Sequence, residues 1–141
     1  MMPTRFDNWP EALAAYIDRK RNEPFEWGVN DCCLFGADWI QICTGLDPAF
    51  DLRGKYTSAL GAKRIIDKSG GLSVMVASAL IPLGFKEVAL SIASRGDIIV
   101  RDSRQGDCAG IVIGSESCFV TKEGLRFIPT KLQSDARAWR I

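Results

Sequence analysis

The sequence predicts an α+β domain in which N-terminal helices pack on a small β-sheet of about five to six strands. Helix-period patterns fill residues 1–84. From Phe85 onward, β-branched and aromatic runs broken by Gly and Asp clusters take over. Helices first and strands after is the order of a segregated α+β domain, not of a doubly wound sheet. A chain of 141 residues is long enough for one proper core, so a single domain is expected over 1–141, helical over residues 1–84 and β over residues 85–141.

The first helix is predicted over Phe6–Arg21. Asn8 with Glu11 three residues on is a capping-box pattern, and Pro10 is tolerated in a first turn. Trp9, Leu13, Tyr16 and Ile17 form its inward stripe, and Arg19-Lys20-Arg21 reads as a solvated C-terminal end. Pro24 stops it. The next helix starts near Asp31, with Asn30 or Asp31 as N-cap, and ends at Gly45. Its inward face is Cys32, Phe35, Gly36, Trp39, Ile42 and Cys43. A loop over Leu46–Tyr56 carries Pro48, Gly54 and a charged Asp51/Arg53 pair. Thr57 or Ser58 caps a third helix to about Lys68, with Leu60, Ile65 and Ile66 apolar. Gly70-Gly71 ends it, and Ser73 caps a fourth helix, Val74–Ile81, stopped by Pro82. Strands follow at Phe85–Leu90, Asp97–Arg101, Ala109–Ile113, Cys118–Thr121, Leu125–Ile128 and Arg137–Ile141, with a hairpin turn at Lys122-Glu123-Gly124.

Composition excludes more than it suggests. The formal net charge is +1, which gives no reason to expect nucleic acid or an anionic membrane as partner. The apolar stretch Val74–Phe85 is too short and too interrupted to span a bilayer, and MMPTRFDNWP has no signal-peptide core. Five cysteines without paired C-x-x-C spacing argue against a disulfide framework or a zinc site, and fit folding in a reducing compartment. The chain contains no histidine, which removes the usual general base and the commonest metal ligand. No metal or cofactor is expected.

Cys32 is the one residue whose position argues for chemistry. It sits where a turn-rich loop becomes a helix, and the partial positive charge of a helix N-terminus favours a thiolate. The same thiol fits equally as a small buried hydrophobe. Cys33 falls a quarter-turn away. Cys43 and Cys118 read as core, and Asp31 and Asp97 as a cap and a turn residue. Trp27, in the loop beside the thiol, is a candidate binding residue, with Asp31. Trp139, near a terminus, is a place where a partner could dock.

These motifs add up to a resemblance. Trp27-Gly28-Val29-Asn30-Asp31-Cys32 followed by an apolar helix, Gly96-Asp97 followed by an apolar strand, and Cys108-Ala109-Gly110-Ile111 resemble the three motifs of NlpC-like, papain-like cell-wall cysteine peptidases. The resemblance implies an NlpC-like fold with an antiparallel sheet. It places Cys32 at the nucleophile position and Cys108 where the base histidine would stand. The Asp38-Trp39 pair, Arg53-Gly54-x-Tyr56, Gly70-Gly71, and the closing stretches Gly124–Pro129 and Ala136–Ile141 are similar to small tail-associated proteins of siphophages, a family that often lacks the histidine.

That second resemblance implies a phage or prophage tail-tip or tail-assembly protein. Its partners would be other tail proteins, with peptidoglycan as a further candidate, and it would pass from host cytoplasm to virion tail. The alternative is an active thiol hydrolase that uses Cys32 on cell-wall peptide. A third reading pairs Cys32 and Cys108 as a redox couple.

Overall fold

Four helices precede six strands in the computed structural model, which describes residues 2–101, 107–133 and 135–141. The helices are α1 (Trp9–Lys20), α2 (Leu34–Thr44), α3 (Ala59–Lys68) and α4 (Leu72–Leu80). The strands are β1 (Lys86–Val88), β2 (Ile98–Arg101), β3 (Cys108–Val112), β4 (Glu116–Thr121), β5 (Gly124–Pro129) and β6 (Arg137–Arg140). They form one open antiparallel sheet in the order β1-β6-β2-β3-β4-β5, so the C-terminal strand lies between the first two. The α+β class and the element order are those read from the sequence.

α2 is the hub. Phe35, Trp39 and Cys43 face α1 and the sheet, packing with Leu13, Tyr16, Ile98, Ile111 and Trp139. Leu34 and Ala37, on the other side, are covered by Ala49 and Leu52 of the following loop. A helix apolar nearly all round belongs in the middle of a fold, and a single inward face understates it. Trp39 Nε1 donates to the Gly96 carbonyl at 2.9 Å and Tyr16 Oη to the Phe35 carbonyl at 2.6 Å, so both buried polar tips are satisfied.

The sheet is apolar on both faces. Ile98, Val100, Ala109, Ile111, Cys118 and Val120 meet the helices. Ile99, Val112 and Phe119 form a second small core with Leu90, Ala93 and Ile128. Gly110 lies under the Phe119 ring. A Cβ there would come within 2.4 Å of the Cys118 carbonyl and 2.6 Å of that ring, so the third motif needs its glycine for packing.

Several local expectations are corrected. α1 begins at Trp9, and Asn8 makes no side-chain cap, since its backbone (φ −85°, ψ 14°) is not the extended one a capping side chain needs. Trp9 is only half-buried, between the guanidinium groups of Arg5 and Arg95. Lys20 is not a solvated end residue. It is 5% exposed, with Nζ 2.7 Å from Glu23 and 3.3 Å from Asn30 Oδ1.

Ser58 caps α3 by accepting from Gly61 N, but Leu60 faces solvent and Ala62 is the buried residue. α4 starts one residue before Ser73, with Gly71 as its N-cap. Arg53 does not pair with Asp51. It bridges Asp38 at 2.7 Å and Asp47 at 2.8 Å, tying the loop after α2 back to that helix.

Asp97 is fully buried and does more than turn the chain. It takes Arg5 at 3.0 Å, Arg140 at 3.0 Å and the Ile141 amide at 3.1 Å. Trp139 is fully buried in the core, so it offers no docking surface. Among the described residues no single helix is long and apolar enough to cross a membrane.

Gly110→Ala is expected to lower the unfolding free energy by roughly 2–3 kcal/mol, through overpacking against strand backbone and a ring. Gly54→Ala meets open space and bears only the cost of its left-handed φ of 77°, roughly 1 kcal/mol. Urea titration of the two variants checks the ordering.

Candidate functional site

The loop before α2 is built around two buried side chains. Glu26 and Asn30 exchange backbone hydrogen bonds of 3.0 and 2.8 Å. Asn30 Nδ2 donates to the carbonyls of Glu23 and Pro24, and its Oδ1 accepts from Lys20. Gly28 has φ 83°, and a Cβ there would sit 2.4 Å from the Tyr56 carbonyl oxygen. Only glycine permits that approach.

Asp31 follows, fully buried. Its Oδ1 accepts from the Cys33 and Leu34 amides at 2.9 Å each. Its Oδ2 accepts from Gly28 N at 2.7 Å and from the Tyr56 hydroxyl at 2.5 Å. Of the two caps the sequence offers, Asn30 and Asp31, it is Asp31 that takes first-turn amides, although regular helix starts at Leu34, Cys33 holds the N-cap position, and residues 31–33 form a turn ahead of it. Burial first, then the bond to Asp31, push the Tyr56 hydroxyl well above the usual phenol range.

Cys32 lies in that turn, half-buried. Two other thiols act on its pKa, Cys108 at the start of β3 and Cys33. Cys32 and Cys108, the pair that the resemblance sets together, act on each other's pKa. Donation from Cys108 lowers the Cys32 pKa. The bond to Cys33, burial, and the nearby Cys33 and Asp31 more than reverse this, and Cys32 is pushed up to about 12. Cys108 moves up further, chiefly because its proton is shared with Cys32 and secondly by burial, with Arg101 opposing.

The expectation that the helix N-terminus favours a thiolate at Cys32 is overturned here. The Cys33 and Leu34 amides of the first turn are taken by the Asp31 carboxylate. The positive end of the helix is answered by a carboxylate, and the sulfur beside it meets a negative charge.

Cys43 and Cys118 are buried, and burial raises them to about 11 and about 12. Trp27 is half-buried, edge-on to Phe25 with centroids 4.9 Å apart. A largely apolar cleft of about 320 Å³ opens on the far side of Cys33, lined by Ala37, Leu52, Met75, Leu80 and Ala109 among others. Trp27 does not line it. Among the described residues, no three His, Cys, Asp or Glu side chains are arranged to hold a metal ion.

Tyr56 is the site residue that motif spacing did not assign a role. The signal was a hydroxyl-bearing aromatic inside Arg53-Gly54-x-Tyr56, 25 residues from the carboxylate it reaches.

A family model described as a domain of unknown function, DUF6950, matches residues 4–141. The chain belongs to that family. No curated protein matches it. The DUF6950 match spans the helices and the sheet together, so the Asp31 cap, the thiol cluster and the strands fall within one family unit.

At neutral pH, iodoacetamide should alkylate Cys32 about a thousandfold more slowly than a free thiol of pKa 9.0, the ratio of their thiolate fractions. Peptide-resolved alkylation kinetics check this, and a rate at or above that of the free thiol contradicts it. The raised thiols also predict alkaline lability. The folded state holds protons that the unfolded chain releases above about pH 9, so this stabilisation is whole below that pH and is lost as pH rises towards about 12. Urea midpoints measured from pH 8 to pH 11 should fall.

Proposed function

We propose that this chain is a phage or prophage tail-tip or tail-assembly protein built on an inactive NlpC-like peptidase fold. One observation carries the reading. Where a Cys–His pair would need an imidazole, a second thiol faces Cys32, and the surroundings keep Cys32 protonated. A thiol is a poor base near neutral pH, and a protonated thiol is a poor nucleophile.

The motif residues behind the resemblance have structural employment that needs no catalysis. Gly28, Asp31 and Tyr56 lock the loop, Gly110 admits the Phe119 ring, and Arg53 ties the loop to α2. The tail assignment rests on the likeness of those motifs to siphophage tail-associated proteins. Its partners are other tail proteins, with peptidoglycan as the surface a tail tip meets. The protein would be made in the host cytoplasm and carried in the tail.

The second reading, a thiol hydrolase acting on cell-wall peptide, is favoured by the partial exposure of Cys32 and by the cleft beside Cys33. Purified protein incubated with peptidoglycan decides between them. No released peptide is expected, and release abolished by Cys32→Ala establishes the hydrolase instead. Deleting the gene from its phage or prophage should leave defective tails. Normal, infectious particles would remove the tail assignment.

Cys108→His tests the geometry directly. An imidazole at that position should pair with Cys32 and raise its alkylation rate at neutral pH by at least about a hundredfold. An unchanged rate in a folded variant counts against the peptidase-like placement.

A further inference from the structure

We propose, independently of the tail reading, that the cleft between α2, α4 and the loop after α2 binds a small hydrophobic amine, an apolar chain ending in an ammonium group. Its volume of about 320 Å³ lies at the lower end of what small-molecule sites occupy, roughly 300–1,000 Å³. Its walls come from separate stretches of chain. α2 supplies Gly36 and Ala37, the following loop Ala49, α4 Ala79 and β3 Ala109. Small side chains meet there from several sides, so space that larger ones would fill stays open. Protein interiors are otherwise packed about as densely as organic crystals. The surface of α4 points the same way. Its sequence, LSVMVASAL, carries no charged residue, yet only Leu72 and Leu80 are buried. A helix this apolar normally belongs inside a fold. Met75, Val76 and Ala79 line the cleft half-exposed, and an apolar chain lying there covers them. Unbranched Met75 can adjust to its shape.

The charge of the ligand follows from the rim. Among the described residues that line the cleft, Asp51 alone is charged. It is exposed, so the negative charge stands at the mouth while the walls stay apolar. Arg53, two residues on, is held by Asp38 and Asp47. No ion pair or side-chain hydrogen bond engages Asp51 among the described residues. The Ser69 hydroxyl, also on the lining, donates to the Ile65 carbonyl at 2.8 Å, so towards a ligand it offers lone pairs. An ammonium group has donors and no acceptor, which is the complement of a carboxylate and an acceptor hydroxyl. A ligand carboxylate would meet a like charge at Asp51, and a neutral head group would leave that carboxylate without a counter-charge.

The test titrates the full chain with octylamine, octan-1-ol and octanoate by calorimetry at neutral pH and low salt. Octylamine should bind saturably, one per chain. It should bind roughly three- to fivefold more tightly than the alcohol, the size expected of a pair at an exposed carboxylate, and octanoate should bind weakest. The preference should shrink at about 1 M salt, where charges are screened within about 3 Å. Asp51→Asn should bring amine and alcohol level. Ala79→Leu, which puts a larger side chain into the cleft, should weaken both. Bound octylamine should also slow alkylation of Cys33, which lines the cleft, as read by peptide mapping. Any of four results overturns the site: no saturable octylamine binding, octanoate binding as tightly as the amine, an amine preference kept in Asp51→Asn, or an unchanged Cys33 rate under saturating octylamine. Asp51 is exposed, so Asp51→Asn decides even if Ala79→Leu fails to fold. Neither tail partner nor peptidoglycan is involved, so this site and the tail assignment fail separately.

Discussion

One buried carboxylate organises the end of this molecule where α2 begins. Asp31 gathers four donors from three separate stretches: Gly28 in the loop, Cys33 and Leu34 at the head of α2, and Tyr56 beyond the next loop. A carboxylate without solvent is tolerated only when its oxygens are fully engaged, and here they are. Remove it and the loop has no anchor, Tyr56 loses its acceptor, and α2 begins uncapped. Those are the features that place Cys32 against β3.

The same carboxylate helps to hold the Cys32 pKa up. A helix start can arm a cysteine by offering its free amides and positive end to a thiolate. In this chain Asp31 occupies those amides, so the helix end and the capping anion largely cancel. What Cys32 then experiences is burial, a neighbouring negative charge and two further thiols. Histidine would have supplied a cation opposite the sulfur. Cys108 supplies a proton donor, which stabilises a thiolate far less than a full positive charge does. The raised pKa of Cys32 therefore comes from the whole neighbourhood, and the absence of an imidazole opposite the sulfur is only one contribution to it.

The sheet serves as a platform for this arrangement. β6 closes between β1 and β2, bringing Arg140 and Ile141 onto Asp97, to which Arg5 is also bound. Both ends of the domain are thus held on one buried carboxylate next to Gly96, whose carbonyl takes the Trp39 indole of α2. The two Asp-containing motifs do parallel work: Asp31 fixes the head of the central helix, and Asp97 fixes the sheet on which that helix lies. Asp97 was legible only as a turn residue, because its partners Arg5 and Arg140 lie 92 and 43 residues away along the chain.

The sequence by itself determined the class and order of the elements, the glycine at the end of α2, a cap for that helix at Asn30 or Asp31, and the core placement of Cys43 and Cys118. These follow from hydrophobic period and local backbone chemistry, which act over a few residues. Periodicity also brought Cys32 to a helix start, and motif likeness set it opposite Cys108. The tertiary structure alone decided that Trp139 and Lys20 are buried, that Arg53 pairs with Asp38 and Asp47, that Tyr56 bonds to Asp31, and that the surroundings of Cys32 push its pKa up. Burial and charge pairing depend on what folds against a residue, and those neighbours are dozens of positions away. A thiol's reactivity is set in that surrounding space, whereas its place on a helix is set by the chain.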